Sequence, residues 1–210
     1  LANTSDRLES VMRLDDTVRE YVGIPFHFSF GFGRCRSVLQ AGGSVYLPPE
    51  GFNPVEIVDL LREGRINAVS AVPTLWRLVL AQPSLFESVG RRVRWIEIGS
   101  QYMSGEEKER LRALFPEATI VQHYGLTEAS RTTFLEIHAA DRERLESVGR
   151  GMGGAEIGLG DESVIRIRGP HLASGVLRDG RVHPLVDADG WFTTSDRGRL
   201  VDGFLHFEGR

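Results

Sequence analysis

The chain of 210 residues carries 25 basic and 29 acidic residues, a formal net charge of −4, and 41% hydrophobic residues. This balance predicts a compact soluble protein of one or two domains and argues against nucleic acid or a polybasic membrane surface as partner. No apolar run approaches the roughly 20 residues of a membrane span. The single cysteine, Cys35, excludes an internal disulfide and a cysteine-based zinc site, so we expect a cytoplasmic protein.

Helix and strand signals alternate along the first two-thirds of the chain. Leu8, Val11 and Met12 have the spacing of one helical face. Strand signals occupy residues 21–24, 44–47, 67–72, 93–98 and 119–123, and further helix signals occupy residues 32–39, 54–63, 74–81 and 105–115. Such alternation predicts an α/β fold, with a parallel or mixed sheet flanked by helices.

Two of the predicted helices have clear start signals. Asn53 is a good N-cap and is followed by Pro54, which suits the first helical position. Ser104 and Glu107 have the spacing of a capping box, in which each side chain bonds the other residue's backbone amide. These signals fix where the two helices begin.

The sequence changes character after about residue 146. Glycines crowd residues 149–160, and residues 164–168 alternate between apolar and charged side chains, as in a half-buried strand. Asp202 and Gly203 form a strong hairpin signal between two further strands. We therefore predict an α/β subdomain over residues 1–145 and a small β subdomain over residues 146–210.

Residues 124–128, Tyr-Gly-Leu-Thr-Glu, directly follow a predicted strand, and Gly99 with Ser100 follow another. Ligands bind α/β sheets at the carboxyl ends of their strands, which places both segments at a predicted site. An aromatic ring can stack on a base, and a glycine lets a ligand approach the backbone. Thr and Glu oxygens suit Mg²⁺ beside phosphates, and Asp196 supplies a second acidic position.

Five other segments accompany this motif: residues 24–31 (IPFHFSFG), 71–74 (AVPT), 98–101 (IGSQ), 167–170 (IRGP) and 189–192 (DGWF). In this order they resemble landmarks of the adenylate-forming superfamily of acyl-CoA synthetases, peptide-synthetase adenylation domains and luciferases. The first resembles that superfamily's Pro-x-x-His-x-x-Gly segment beside the acyl pocket. The resemblance covers almost the whole chain and implies the fold of an acyl-CoA synthetase-like N-terminal domain.

The resemblance also implies roles for individual residues. It implies catalytic roles for Thr127 and Glu128, with Mg²⁺ held at Glu128. Tyr124 would lie against adenine, and Asp196 would accept hydrogen bonds from the ribose hydroxyls. The full set of implied nucleotide contacts is Gly99, Ser100, Tyr124, Gly125, Asp196 and Arg210. His27, Gln101 and His123 are candidates for contact with the acid substrate.

The sequence departs from the superfamily's pattern in three places. The usual Thr-Gly-Asp reads Thr194-Ser195-Asp196, which leaves the local backbone conformation in question. The lysine-containing phosphate loop does not occur in the 210 residues, and Arg210 stands where the hinge to the mobile C-terminal domain begins. Lys108, the only lysine, lies among glutamates and is expected to be a solvated charge. We expect a central fragment that is nearly inactive alone.

The implied activity is the conversion of a carboxylic acid and ATP to an acyl-adenylate and pyrophosphate. The acyl group then passes to a thiol, either coenzyme A or the phosphopantetheine of an acyl carrier protein. Gln101, Tyr102 and His123 offer polar contacts near an aromatic-rich segment, which favours an aryl acid over a medium-chain fatty acid. An amino-acid substrate ranks lower, because no amino-acid-binding carboxylate is evident.

Two other classes of function stay open. The chain could be a non-catalytic binding module that keeps the fold. Gly149-x-Gly151-x-x-Gly154 matches a dinucleotide fingerprint by letter and would suggest a nicotinamide-dependent enzyme, but no clear strand precedes it and no helix signal follows. The alternating Phe26, Phe28, Phe30 and Phe32 are expected to pack in the core rather than against a substrate.

Overall fold

The computed structural model describes residues 2–210, and Leu1, where the first predicted subdomain begins, lies outside the described residues. The helices of this range are α1 (Ala2–Met12), α2 (Ser29–Gln40), α3 (Pro54–Arg62), α4 (Pro73–Leu80) and α5 (Gly105–Leu114). None of the helices within residues 2–210 is both long and apolar enough to cross a membrane.

The larger sheet consists of β1 (Arg19–Val22), β2 (Ser44–Tyr46), β3 (Ala68–Ala71), β4 (Trp95–Ile98), β5 (Thr119–Tyr124), β6 (Thr133–Glu136) and β7 (Arg150–Gly151). In the described chain its order is β2-β1-β3-β4-β5-β6-β7. The first five of these strands are parallel, and β6 and β7 extend the sheet in antiparallel fashion. The prediction of a parallel or mixed sheet is confirmed, and the sheet is mixed.

Helices cover both faces of this sheet. One apolar core joins α3, α4 and α5 to the sheet through side chains such as Leu61, Trp76 and Leu111. A second core joins α1 and α2 to the opposite face through Leu8, Met12 and Val38. Because both faces are covered, the central strands are buried along their whole length, as is usual for parallel strands.

The smaller sheet follows in the chain and is antiparallel. Its strands are β8 (Glu156–Leu159), β9 (Val164–Arg168), β12 (Phe192–Val201) and β13 (Phe204–Gly209), and a separate hairpin pairs β10 (Val176–Arg178) with β11 (Arg181–His183). Asp202 and Gly203 both have positive φ in the predicted hairpin turn. The two sheets meet where Leu205 exchanges backbone hydrogen bonds with Val148 and Gly149.

The predicted helix starts are present. The Asn53 side chain accepts hydrogen bonds from the backbone amides of Val55 and Glu56. At the start of α5, the Ser104 hydroxyl accepts from the Glu107 amide, and the Glu107 carboxylate accepts from the Ser104 amide. The boundary between residues 145 and 146 stays a prediction, and the edge strand β7 of the larger sheet lies beyond it.

The prediction that four phenylalanines pack in the core is wrong for three of them. Phe30 is buried, whereas Phe26, Phe28 and Phe32 are each about half exposed. The reason is that α2 begins at Ser29, so that residues 25–28 form the turn before a helix and not a strand. Helical spacing directs Phe30 inward and Phe32 outward.

The expectation that Lys108 is solvated is wrong. Lys108 is fully buried, and its Nζ donates to the carbonyl oxygens of Leu145 at 2.5 Å and Ser147 at 2.8 Å. It shares the buried face of α5 with Gly105 and Leu111. The sequence prediction failed because the residues adjacent to Lys108 in the chain are glutamates. Burial lowers the pKa of Lys108 to about 7, although the carboxylates of Glu146 and Glu107 favour the charged form.

We expect Lys108 to make stability depend on pH. Its ordinary pKa is 10.5, so between pH 7 and about 10 the unfolded chain holds a proton that the folded chain has released. The cost of burying the charge is complete below pH 7 and decreases as pH rises. Relative to Lys108→Met, the wild-type free energy of unfolding should therefore increase by about 1.4 kcal/mol per pH unit in that window. Urea unfolding at pH 6, 8 and 9.5 measures this difference.

Arg112 provides the matched control, because its Nη1 also donates to two backbone carbonyls, those of Ile137 and Ala140. An arginine stays protonated over this pH range. The difference between wild type and Arg112→Met should therefore not change with pH. A pH-independent difference for Lys108→Met as well would mean that Lys108 remains charged in the folded protein.

Candidate active site

A row of polar side chains crosses the face of the larger sheet that α1 and α2 cover. Glu20 lies on β1, Ser70 on β3, Glu97 on β4 and His123 on β5, and all are buried. Ser70 and Glu97 are paired in the β3–β4 register, and the Ser70 hydroxyl donates to Glu20. A buried polar row of this kind needs partners for its charges.

Two arginines supply those partners. Arg34 of α2 donates through Nε to Glu20 at 2.8 Å and through Nη2 to the same carboxylate, and its Nε lies 3.2 Å from Glu97. Arg131 donates to Glu97 through Nε at 2.7 Å and Nη2 at 3.2 Å. The two guanidinium groups balance the two carboxylates, as buried ions require.

This arrangement sets the protonation of Glu97 and His123. Burial alone would raise the pKa of Glu97, but Arg131, His123 and Arg34 together hold it well below its usual range. Burial lowers the pKa of His123, against the attraction of Glu97, whose Oε1 lies 2.7 Å from the imidazole Nδ1. Glu97 is therefore an ionised carboxylate, and burial favours the neutral form of His123.

Sequence reasoning identified His123 but missed Glu20, Arg34, Glu97 and Arg131. One signal was available, because residues 95–98 read Trp-Ile-Glu-Ile, with a carboxylate inside an otherwise apolar strand. A charge at such a position is rarely buried without a partner. The partners could not be identified, because they come from a helix and a loop remote in the sequence.

The larger cavity, of about 500 Å³, opens at the carboxyl ends of β4 and β5, between the two sheets. Its walls come from the start of α2, from the loop after β5 and from β12. They include the predicted residues Ser100, His123, Gly125, Thr127, Glu128 and Arg210, together with Phe30, Arg131 and Phe192. The structure thus gathers predicted residues from distant parts of the chain around one space.

A smaller cavity of about 200 Å³ adjoins the first. It is lined by Gln101, Tyr102, Tyr124, Asp196 and Phe207, and it shares Ser100, His123, Gly125 and Arg210 with the larger cavity. The shared residues make the two cavities one site with two compartments. The Tyr102 hydroxyl donates to Glu146 at 2.8 Å, which holds this wall of the smaller compartment against the start of α5.

Asp196 lines the smaller compartment. It is 2% exposed, and its carboxylate accepts hydrogen bonds from the Tyr124 hydroxyl at 2.9 Å and from Arg210 Nε at 2.6 Å. Burial and the nearby Asp196 charge raise the pKa of Tyr124, so the phenol remains a donor. Ser195 lies in the extended strand β12 without positive φ, so serine fits where the superfamily has glycine.

Two glycines are needed by the geometry of this site. A Cβ at Gly99 would collide with the imidazole of His123, and a Cβ at Gly125 would lie 2.5 Å from the Arg131 amide nitrogen. Ser100, between the two compartments, has a φ of +80°, which is unusual for a residue other than glycine. Strained backbone of this kind is concentrated at functional sites.

Thr127 and Glu128 lie on the loop that borders the larger compartment, and Thr127 is exposed. Within residues 2–210, no group of three or more His, Cys, Asp or Glu side chains is arranged to hold a metal ion. Mg²⁺ usually takes one or two protein carboxylates and completes its shell with phosphate and water oxygens. The Glu128 carboxylate fits that limited requirement.

The structure does not bring His27 to either compartment. His27 is exposed in the turn before α2, and its ring lies 4.3 Å from that of Phe28. The segment also differs from the motif it resembles, because a single residue separates Pro25 from His27. Phe30 faces the site instead, with its ring edge-on to His123 at 4.8 Å.

Gln101 lines the smaller compartment, and its side-chain oxygen accepts a hydrogen bond from Thr74 at 2.7 Å.

The structure does not support the dinucleotide fingerprint of residues 149–154. Gly149 has a φ of +91° and sits against the backbone of β6, and strands β7 and β8 follow it where a dinucleotide site needs a helix.

Known proteins resemble long stretches of this chain. A 2-succinylbenzoate–CoA ligase of Listeria monocytogenes is 31% identical over 182 residues, which cover 86% of this chain and 38% of that protein. A 2-succinylbenzoate–CoA ligase of Salmonella typhimurium is 40% identical over 87 residues, covering 41% of this chain and 18% of that protein.

Among solved structures, ATP-bound MatB from Rhodopseudomonas palustris superposes with a TM-score of 0.85 at 25% identity, covering 100% of this chain and 43% of that one. The chain therefore spans less than half the length of these relatives. Residues 2–177 match the family model described as AMP-binding enzyme. With that match and the fold and site above, the chain belongs to the AMP-binding enzyme family.

Proposed function

We propose that the full-length protein carrying this chain is an ATP-dependent ligase that activates a carboxylic acid as an acyl-adenylate. One observation carries the proposal. A buried carboxylate, Asp196, is fixed by Tyr124 and Arg210 in the smaller compartment, directly beside the loop that contains Thr127 and Glu128. A site with this arrangement suits a nucleoside next to a phosphate and a metal ion.

The smaller compartment would take the nucleoside. Each oxygen of Asp196 accepts one hydrogen bond from the protein and keeps a lone pair for a ribose hydroxyl. Tyr124 and Tyr102 supply aromatic surface for the base, and Gly125 permits close approach of the ligand to the backbone. Arg210 would lie beside the ribose while it neutralises Asp196.

The larger compartment would hold the reacting groups. An oxygen of the acid's carboxylate forms a bond to the α-phosphorus of ATP, while the bond from that phosphorus to pyrophosphate breaks. Negative charge accumulates on the phosphate oxygens during this step and has to be neutralised. Thr127 would donate a hydrogen bond to these oxygens, and Glu128 would hold Mg²⁺ against them. The metal ion would act there as a Lewis acid.

The acid is proposed to be an aryl acid rather than a fatty acid. Phe30 and Phe192 line the larger compartment and offer flat apolar surface beside the polar His123. Two of the relatives named above are ligases of 2-succinylbenzoate, an aryl acid, and coenzyme A. Coenzyme A is the proposed thiol acceptor, with a carrier-protein phosphopantetheine as the alternative. A cytoplasmic location belongs to the same proposal.

The role of Asp196 can be tested by AMP binding to the full-length protein, measured by calorimetry. Asp196→Asn should weaken AMP binding by about 10-fold or more, because it removes the charged acceptor for the ribose hydroxyls. The analogue 2′,3′-dideoxy-AMP lacks those hydroxyls and should lose little affinity from the same substitution.

The control variant is Asp187→Asn, which changes an exposed aspartate of the second subdomain that pairs with Arg166. It should leave AMP affinity unchanged. An equal loss for AMP and the dideoxy analogue in Asp196→Asn would show a structural effect and would remove the proposed ribose contact.

The proposed activity can be tested by ATP–pyrophosphate exchange with the full-length protein, across aryl, fatty and amino acids. We expect exchange with aryl acids, and a reduction of about 10²-fold or more in Glu128→Gln, which loses the carboxylate for Mg²⁺. AMP binding without exchange for any acid would favour the alternative function, a non-catalytic module that retains the fold.

A further inference from the structure

His123 occupies the junction between the two compartments and borders both. Its ring is buried, and it is held on one edge by Glu97 and on one face by Phe30. A histidine fixed in this way presents a defined hydrogen-bonding group to a ligand, and which group it presents depends on the position of its proton.

We propose that Glu97 holds the proton of His123 on Nδ1, so that Nε2 faces the ligand as a hydrogen-bond acceptor and selects acids that carry a donor there. Glu97 is then a positioning residue and His123 a specificity-determining residue. The inference rests on the proposed function for the identity of the ligand as a carboxylic acid.

The position of the proton follows from the contact between the two side chains. Nδ1 lies 2.7 Å from Oε1 of Glu97, a distance at which two unprotonated acceptors would repel each other. Nδ1 does not form a hydrogen bond of normal geometry in the structure, but two lone pairs at 2.7 Å would repel each other, so one proton lies between the two atoms. Glu97 accepts from Arg131 on both oxygens and remains ionised, so the proton belongs to Nδ1.

The charge balance around the ring argues against a second proton. Arg34 and Arg131 already balance Glu20 and Glu97, and all four side chains are buried. Protonation of Nε2 would add an uncompensated positive charge close to both arginines. Burial accordingly lowers the pKa of His123, and Nε2 keeps its lone pair.

The orientation of the ring leaves Nε2 available to a ligand. The Cε1 and Nε2 atoms lie over Gly99, which has no Cβ to cover them. Phe30 packs edge-on at 4.8 Å and restricts rotation of the imidazole. His123 lines both compartments, so a ligand bound there can reach the Nε2 edge of the ring.

An acceptor at this place discriminates between substituents of an aryl acid. A hydroxyl group donates a hydrogen bond to Nε2, whereas an ether oxygen or a second carboxylate sets lone pairs against it. A site that bonds a substrate hydroxyl strongly rejects analogues that leave its buried polar group unpaired. We therefore infer a hydroxy-substituted aryl acid, with any second carboxylate placed away from His123.

The test compares matched hydroxy-, methoxy- and carboxy-benzoates, substituted at the ortho, meta or para position. With the full-length protein, kcat/KM for ATP–pyrophosphate exchange should favour the hydroxyl by about 10-fold or more at one ring position. His123→Phe should remove this preference, since phenylalanine has no acceptor. A ratio of substrates reports on specificity, and a general loss of activity does not change it.

Glu97→Gln tests the positioning role. The glutamine amide can donate to Nδ1 and so allows the proton to move to Nε2, which should shift preference towards the methoxy and carboxy compounds. If Glu97→Gln does not fold, His123→Gln replaces it. An amide at that position can donate or accept, and it should bring the ratio close to one.

Two results would overturn the inference: a wild-type ratio near one at every ring position, or a His123-dependent preference for the carboxylate. Silence of folded protein with every acid would instead reject the proposed adenylation. In that case the binding of the same acids, measured by calorimetry, still tests the inference. Tighter binding of the hydroxy acid that His123→Phe abolishes would support it. Equal binding of the hydroxy, methoxy and carboxy acids would contradict it.

Discussion

The buried ion pair between Glu97 and Arg131 is the constraint on which the site depends. A carboxylate in the middle of a covered sheet is costly unless cations approach it closely. Arg131 reaches it from the loop after β5, where its own φ is +54°. A Cβ at Gly33 would lie 2.5 Å from Nη1 of Arg131 and would obstruct this approach. Arg34 approaches the same carboxylate from α2, so sheet, helix and loop are held together at one point.

The loop that Arg131 anchors carries Gly125, Thr127 and Glu128, so the ion pair also positions this wall of the larger compartment. The smaller compartment is fixed independently, because Asp196 lies on the second sheet and is tied to the first by the Tyr124 hydroxyl. His123 lies between these two arrangements and belongs to both compartments. The site is therefore a property of the contact between the sheets.

Much of this organisation follows from local sequence. The alternation of helix and strand signals predicted a parallel or mixed sheet. Asn53 and Ser104 marked the starts of two helices, and the end of a predicted strand located the loop at Tyr124. The failures involve contacts between distant segments. Lys108 looked solvated because its sequence neighbours are acidic, and the Glu97 network was missed because Arg34 and Arg131 are remote from it in the chain. His27 was assigned from a motif whose spacing this chain does not keep.

The most direct measurement is ¹⁵N NMR of the histidine rings in the full-length protein, with His123 assigned by its loss in His123→Phe. We predict that between pH 6 and 8 the His123 ring is neutral, with Nδ1 protonated by virtue of Glu97 and Nε2 unprotonated. A proton on Nε2, or an imidazolium ring in this range, would contradict the arrangement in which Glu97, Arg131 and His123 act as one unit.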